Sequence, residues 1–129
     1  MTSSVAGRCL CGKITYEVDL PFGRIVNCHC SRCRTASGAA CATNGLLPPV
    51  QFRWTAGETE ISRFDLPEAA SFATAFCRTC GSLLPHMTRS GRSMIVPIGA
   101  LDLDDGPTAD VHWRSRARWF SDEPLPRED

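Results

Sequence analysis

Eight cysteines stand among 129 residues, and seven of them fall into three tight groups. Cys9 and Cys11 form C-x-C, Cys28, Cys30 and Cys33 form C-x-C-x-x-C, and Cys77 and Cys80 form C-x-x-C. Spacing this short lets one turn of chain aim two sulfurs at a single ion, and three such groups point to metal binding far more firmly than one. Gly12 follows Cys11 and Gly81 follows Cys80, whereas Arg34 follows Cys33. A glycine in that place can take positive φ and turn backbone N–H groups toward the sulfurs. The two glycine-marked knuckles therefore pair into a closed four-sulfur site of Cys9, Cys11, Cys77 and Cys80, the arrangement of structural zinc. Cys28, Cys30 and Cys33 remain. Three protein ligands with an open fourth position is the arrangement of catalytic zinc, so two zinc ions are expected in all.

The residues around these groups leave alternatives open. His29, or a water, could close the fourth position and make the triple inert. His29 sits between two ligating neighbours, so its ring is expected to point away from the ion. His86 and His112 read as ordinary strand residues, and Cys41, alone in an apolar stretch, as a small buried hydrophobe. Seven thiolates with two zinc ions carry a net negative charge of about three, which needs donors or cations nearby. Arg8, Arg32, Arg34 and Arg78 all adjoin cysteines. They either neutralise the clusters or, in the case of Arg32 and Arg34, hold an acidic substrate.

The elements that must position these groups read as mostly β, because short apolar segments alternate with Gly, Pro and Asp. Strands are expected over Lys13–Val18, Gly38–Thr43, Gln51–Trp54, Glu60–Phe64, Ser71–Phe76, Ser82–His86, Ser93–Ile98 and Val111–Arg114. Ser31–Ser37 reads as a short helix with Ser31 near its N-cap. Leu46–Val50, holding Pro48 and Pro49, reads as a turn or edge, and Leu103–Thr108 as a surface loop. The length fits one domain, residues 1–129, with a core over about 5–121 and residues 122–129 as a frayed tail. Fourteen basic residues balance fourteen acidic ones, which argues against a nucleic-acid binder. No stretch has the form of a signal peptide or a membrane span, so a cytoplasmic protein is expected, where thiols stay reduced.

Taken in order, the motifs resemble those of the glutathione-dependent formaldehyde-activating family, which includes centromere protein V. They are G-x-C-x-C-G at Gly7–Gly12, C-H-C-x-x-C-R at Cys28–Arg34, F-C-x-x-C-G at Phe76–Gly81 and G-x-L-D at Gly99–Asp102, with His112 and the Trp119 region. The resemblance covers about residues 5–121. It implies a β-tent fold of antiparallel sheets, with zinc knuckles and at most short helices. It also implies a structural zinc on Cys9, Cys11, Cys77 and Cys80 and a second zinc on Cys28, Cys30 and Cys33. The activity it implies is that of a carbon–sulfur lyase joining glutathione and formaldehyde into S-hydroxymethylglutathione.

The residues themselves are compatible with that chemistry. A thiol that binds zinc loses its proton near neutral pH, and the resulting thiolate attacks an aldehyde carbon. Arg32 or Arg34 would take a glutathione carboxylate. Two rivals exist. One is a non-catalytic binding module, a chaperone or cytoskeletal adaptor, whose zinc only shapes a surface. The other is a thiol–disulfide enzyme using Cys77-Arg78-Thr79-Cys80, which lacks the βαβ setting such motifs occupy.

Overall fold

The computed structural model describes residues 3–129, and the chain is mainly β, in antiparallel sheets. One sheet joins β1 (Ser4–Arg8), β2 (Thr15–Asp19) and β5 (Phe52–Ala56) in that order. A second holds five strands. Across it run β11 (Ala109–Val111), β3 (Arg24–Cys28), β4 (Ala42–Leu47), β10 (Met94–Pro97) and β9 (His86–Met87). The third sheet is β6 (Ile61–Asp65), β7 (Ala73–Cys77) and β8 (Leu83–Leu84). Every pairing is antiparallel but one: β11 lies parallel to β3, with Val111 opposite Cys28. Parallel strands need a long connection, and here the chain between them runs through most of the fold.

Alternation makes the core. Tyr16 and Val18 of β2 point inward between half-buried Thr15, Glu17 and Asp19, as a period of two requires. Ala73, Ala75 and Cys77 of β7 and Met94 and Val96 of β10 do the same. All of these inward residues but Ala73 form one buried cluster with Ile14, Leu47, Leu84 and Cys9. Tyr16 stacks on Phe52 and meets Trp54 edge-on, at centroid distances of 5.5 and 5.8 Å. Burial of its ring pushes the Tyr16 phenol up to about 12.

The single α-helix among the described residues, α1, spans Ser31–Ser37 and buries none of its residues. Its N-cap is Cys30, with Ser31 next to it as expected: Cys30 is extended, and its sulfur accepts from the Cys33 N–H at 3.2 Å. Sulfur thus replaces the usual oxygen at a cap. Gly38 ends the helix in the left-handed region at φ 66°.

Several expected boundaries move. β1 and β3 were not anticipated. β4 begins at Ala42, rather than at Gly38, and takes in Leu46 and Leu47, so the turn starts only at the prolines. Pro85 splits the expected 82–86 strand into β8 and β9. The expected strand over Val111–Arg114 stops at Val111, because His112 takes φ 54° and a 3-10 turn over Trp113–Ser115 follows. Among the described residues no helix is long and apolar enough to cross a membrane.

Leu84 is 2% exposed, and Val50, at the β4–β5 turn, is 87% exposed. Leu84→Ala is therefore expected to cost about 2–5 kcal/mol, and Val50→Ala within about 0.5 kcal/mol. Urea unfolding of the two metal-loaded variants checks the contrast, and equal losses would place Leu84 outside the core.

Candidate metal centres

The two knuckles that sequence spacing pairs do meet. Cys9 and Cys11 leave β1, Cys77 ends β7, Cys80 leads into β8, and all four sulfurs lie within 4.8 Å of one another. Gly12 and Gly81 take φ of 82° and 78°. Their N–H groups close each turn on a backbone carbonyl, Cys9 for Gly12 and Cys77 for Gly81, at 3.1 and 2.7 Å. The expectation that these glycines aim N–H groups at sulfur is thus met indirectly: the tight turn brings the Ile14 N–H to Cys9 Sγ at 3.3 Å.

Two separations test the fit to an ion. Cys9 Sγ is 3.6 Å from Cys11 Sγ, and Cys11 Sγ is 3.8 Å from Cys77 Sγ. Four sulfurs about 2.3 Å from a central zinc would stand about 3.8 Å apart. A disulfide would need about 2.05 Å, and all eight cysteines are free. The donor set is soft and closed, and its dimensions suit tetrahedral zinc.

Ser82 binds the two knuckles together, and the sequence reading passed over it. Its hydroxyl accepts from the Leu10 N–H at 2.8 Å and lies 3.3 Å from Cys80 Sγ. That hydroxyl, followed by the backbone N–H groups of Ser82 and Cys11, pulls the Cys80 thiol down to about 5. Burial acts to raise the Cys9 thiol, yet the Ile14 N–H and the neighbouring thiols bring it below the ordinary range.

The second cluster is Cys28, Cys30 and Cys33, also with sulfurs within 4.8 Å of one another. Cys28 closes β3, Cys30 caps α1 and Cys33 sits in its first turn, so a strand end and a helix start converge on one point. Burial and the adjacent thiols push Cys28 and Cys33 up. Burial opposes ionisation of Cys30 as well, but the Cys33 N–H and the neighbouring thiols outweigh it and lower that thiol. A set with one favoured thiolate and two suppressed ones is a set that a dication would ionise fully.

The remaining expected residues are placed as follows. His29 is fully buried, and its Nε2 lies 2.9 Å from Asp110 Oδ1 instead of joining the sulfurs. Cys41 and His112 join neither cluster. His86 faces a small cavity that Cys33 also lines, and burial followed by the Arg63 charge lowers it to about 4. Arg78 pairs with Glu60 at 3.4 Å and with the Thr59 carbonyl, so it answers carboxylate more than sulfur. Arg34 is half-buried, and its Nε has no partner. Arg32 is exposed and lines a groove of about 570 Å³ between α1 and the third sheet, beside Phe64, Phe72, Phe76 and Leu83.

A small β protein with two all-cysteine clusters that can hold metal ions is the class that fold and sites define. The chain belongs to the family described as glutathione-dependent formaldehyde-activating enzyme, whose pattern matches residues 4–119. A Rhodobacter sphaeroides protein of known crystal structure, a structural-genomics target, is similar in fold, with a TM-score of 0.66 and 25% identity. The match covers 82% of this chain and 99% of that one. No curated protein matches the chain.

Cys77 is fully buried and belongs to the closed cluster. Removing one ligand of a structural zinc forfeits a large part of about 10 kcal/mol or more of binding free energy, comparable to the whole stability of a domain. Cys77→Ala is expected to fold poorly or to unfold with mild chelator, while Cys41→Ala melts near the parent. Circular dichroism melts with and without chelator decide it, and a parent-like Cys77→Ala would overturn a structural role for the four sulfurs.

Proposed function

We propose that the protein is a cytoplasmic zinc-dependent enzyme of carbon–sulfur lyase type. Its substrates are a small thiol, glutathione by family, and a small aldehyde such as formaldehyde. The observation that carries the reading is the inequality of the two clusters, four protein sulfurs in one and three in the other. The four-sulfur set has every coordination place filled by protein and would hold a structural ion. Cys28, Cys30 and Cys33 would hold the second ion and leave room for one external ligand.

When bound there, zinc supplies one thing: it lowers the pKa of an incoming thiol so that the sulfur is a nucleophile at neutral pH. The chain's own part is orientation. Cys28 is held by a strand end, and Cys30 and Cys33 by the cap and first turn of a helix, so two elements orient the three sulfurs. Arg32, exposed on the first turn of α1, would take a carboxylate of the thiol bidentately. Arg34, with an unpartnered Nε, is the alternative. In the net reaction a sulfur–carbon bond forms, the carbonyl π bond breaks, and the thiol proton ends on the former carbonyl oxygen. The reverse reaction releases thiol and aldehyde.

Four expectations follow from unequal clusters. A mild chelator should remove one zinc equivalent quickly and the second slowly or on unfolding, and glutathione should alter only the fast phase. The serine analogue of glutathione should leave it unchanged, because a hydroxyl is a far poorer zinc ligand than a thiolate. Cys30→Ala should fold, lose the fast equivalent and lose adduct formation. Chelator-linked zinc release, read beside S-hydroxymethyl adduct formation, checks all of these. Two equivalents leaving together, with no response to thiol, would overturn the reading in favour of zinc that only shapes a binding surface.

A further inference from the structure

His29 is the one residue classed as polar or charged that is fully buried among the described residues, at 0% exposure. It lies between Cys28 and Cys30, and successive side chains of an extended segment point to opposite sides. Anchoring the middle residue of C-H-C therefore braces both flanking sulfurs. The anchor is built from the far end of the chain. Nε2 of His29 donates to Asp110 Oδ1 at 2.9 Å, since an ionised carboxylate can only accept. The His29 N–H donates to the Val111 carbonyl at 3.0 Å. Trp113 and Phe120 meet the imidazole edge-on at centroid distances of 5.0 and 5.1 Å, and each other at 5.6 Å.

Asp110 is itself held. Asn27 Nδ2 donates to the same Oδ1 at 3.3 Å, and the Thr43 hydroxyl donates to Asn27 Oδ1 at 2.6 Å. The relay thus runs from β4 through β3 to β11 and returns to the residue between two ligand cysteines. A histidine in an aromatic box costs stability unless its ring is hydrogen-bonded. An apolar residue would fill the same box without needing Asp110, so the polar pair makes sense as a device that fixes ring and backbone in one orientation.

We propose that Asp110 is a positioning residue for the three-sulfur cluster, acting through His29 to fix the backbone that carries Cys28 and Cys30. The proposal rests on the reading that this cluster holds the labile metal. Asp110 touches neither sulfur nor substrate. Its side chain is 46% exposed, so replacing it leaves the core packing intact.

The test is zinc release from purified, zinc-loaded protein under a mild chelator, with melting temperature recorded in parallel. Asp110→Ala is expected to bind the fast equivalent on the order of tenfold more weakly, the scale on which partners outside the ligand shell tune a site. The slow equivalent and the melting temperature should stay near the parent. Asp110→Asn keeps an oxygen acceptor for Nε2–H and should restore most of the affinity, which a merely structural loss would not show. Asp104→Ala, at an exposed loop carboxylate, is the control. Parent-like release from Asp110→Ala, or equal weakening of both equivalents, would overturn the proposal alone. A parent protein without any fast equivalent would overturn the metal reading, and the proposal with it.

Discussion

Seven thiols packed into two clusters form an arrangement that the rest of the fold must accommodate. Sulfurs a few ångströms apart repel once ionised, and burial raises the cost of each thiolate. The shifts follow that physics: in the triple, Cys28 and Cys33 are pushed up while Cys30 alone is favoured. A dication relieves both the repulsion and the desolvation. The 3.6 and 3.8 Å separations among Cys9, Cys11 and Cys77 are those of a shell already sized for one. The four-sulfur cluster also joins the chain beside the first sheet to the third sheet, so an ion there would cross-link the two.

The two clusters are built from different local parts, and that difference supports the unequal roles proposed for them. Each closed knuckle is a glycine-terminated turn between strands, reinforced across the pair by Ser82 and Leu10. Turns of this kind hold ligands from all sides. The triple instead uses one strand end and one short helix, and Ser31, Arg32, Thr35 and Ala36 of that helix line the groove beside it. A helix of seven residues with no buried side chain has little packing of its own. Its N-terminal cap is itself a member of the cluster, Cys30. Metal at that point would therefore order the helix as well as the site.

Short-range features were legible in the sequence and long-range ones were not, for physical reasons. The cysteine grouping and the pairing of glycine-marked knuckles rest on spacing within a few residues, where chain geometry permits few alternatives. The positive φ at Gly12 and Gly81 follows from the same reasoning. β3, in contrast, reads RIVNC, too short an apolar run to announce a strand, and it gains its definition from β4 on one side and β11 on the other. The Cys30 cap escaped because a sulfur acceptor lies outside the usual set of capping residues. Asp110 carries no local sign at all: eighty-one positions separate it from His29.

The parallel pairing of β11 with β3 gives that distance its meaning. Residues 109–111 add a strand at the edge of the second sheet, and Val111 falls opposite Cys28. Without this strand the edge of β3 would expose the backbone just before the triple, where a ladder is needed most. The left-handed turn at His112 then sends Trp113 and Phe120 back over His29. One short segment thereby supplies backbone, carboxylate and aromatic contacts to a single buried imidazole. The ligand-bearing strand is consequently set by a part of the chain that holds no ligand, and the geometry of the triple depends on the closure of the fold as much as on its own spacing.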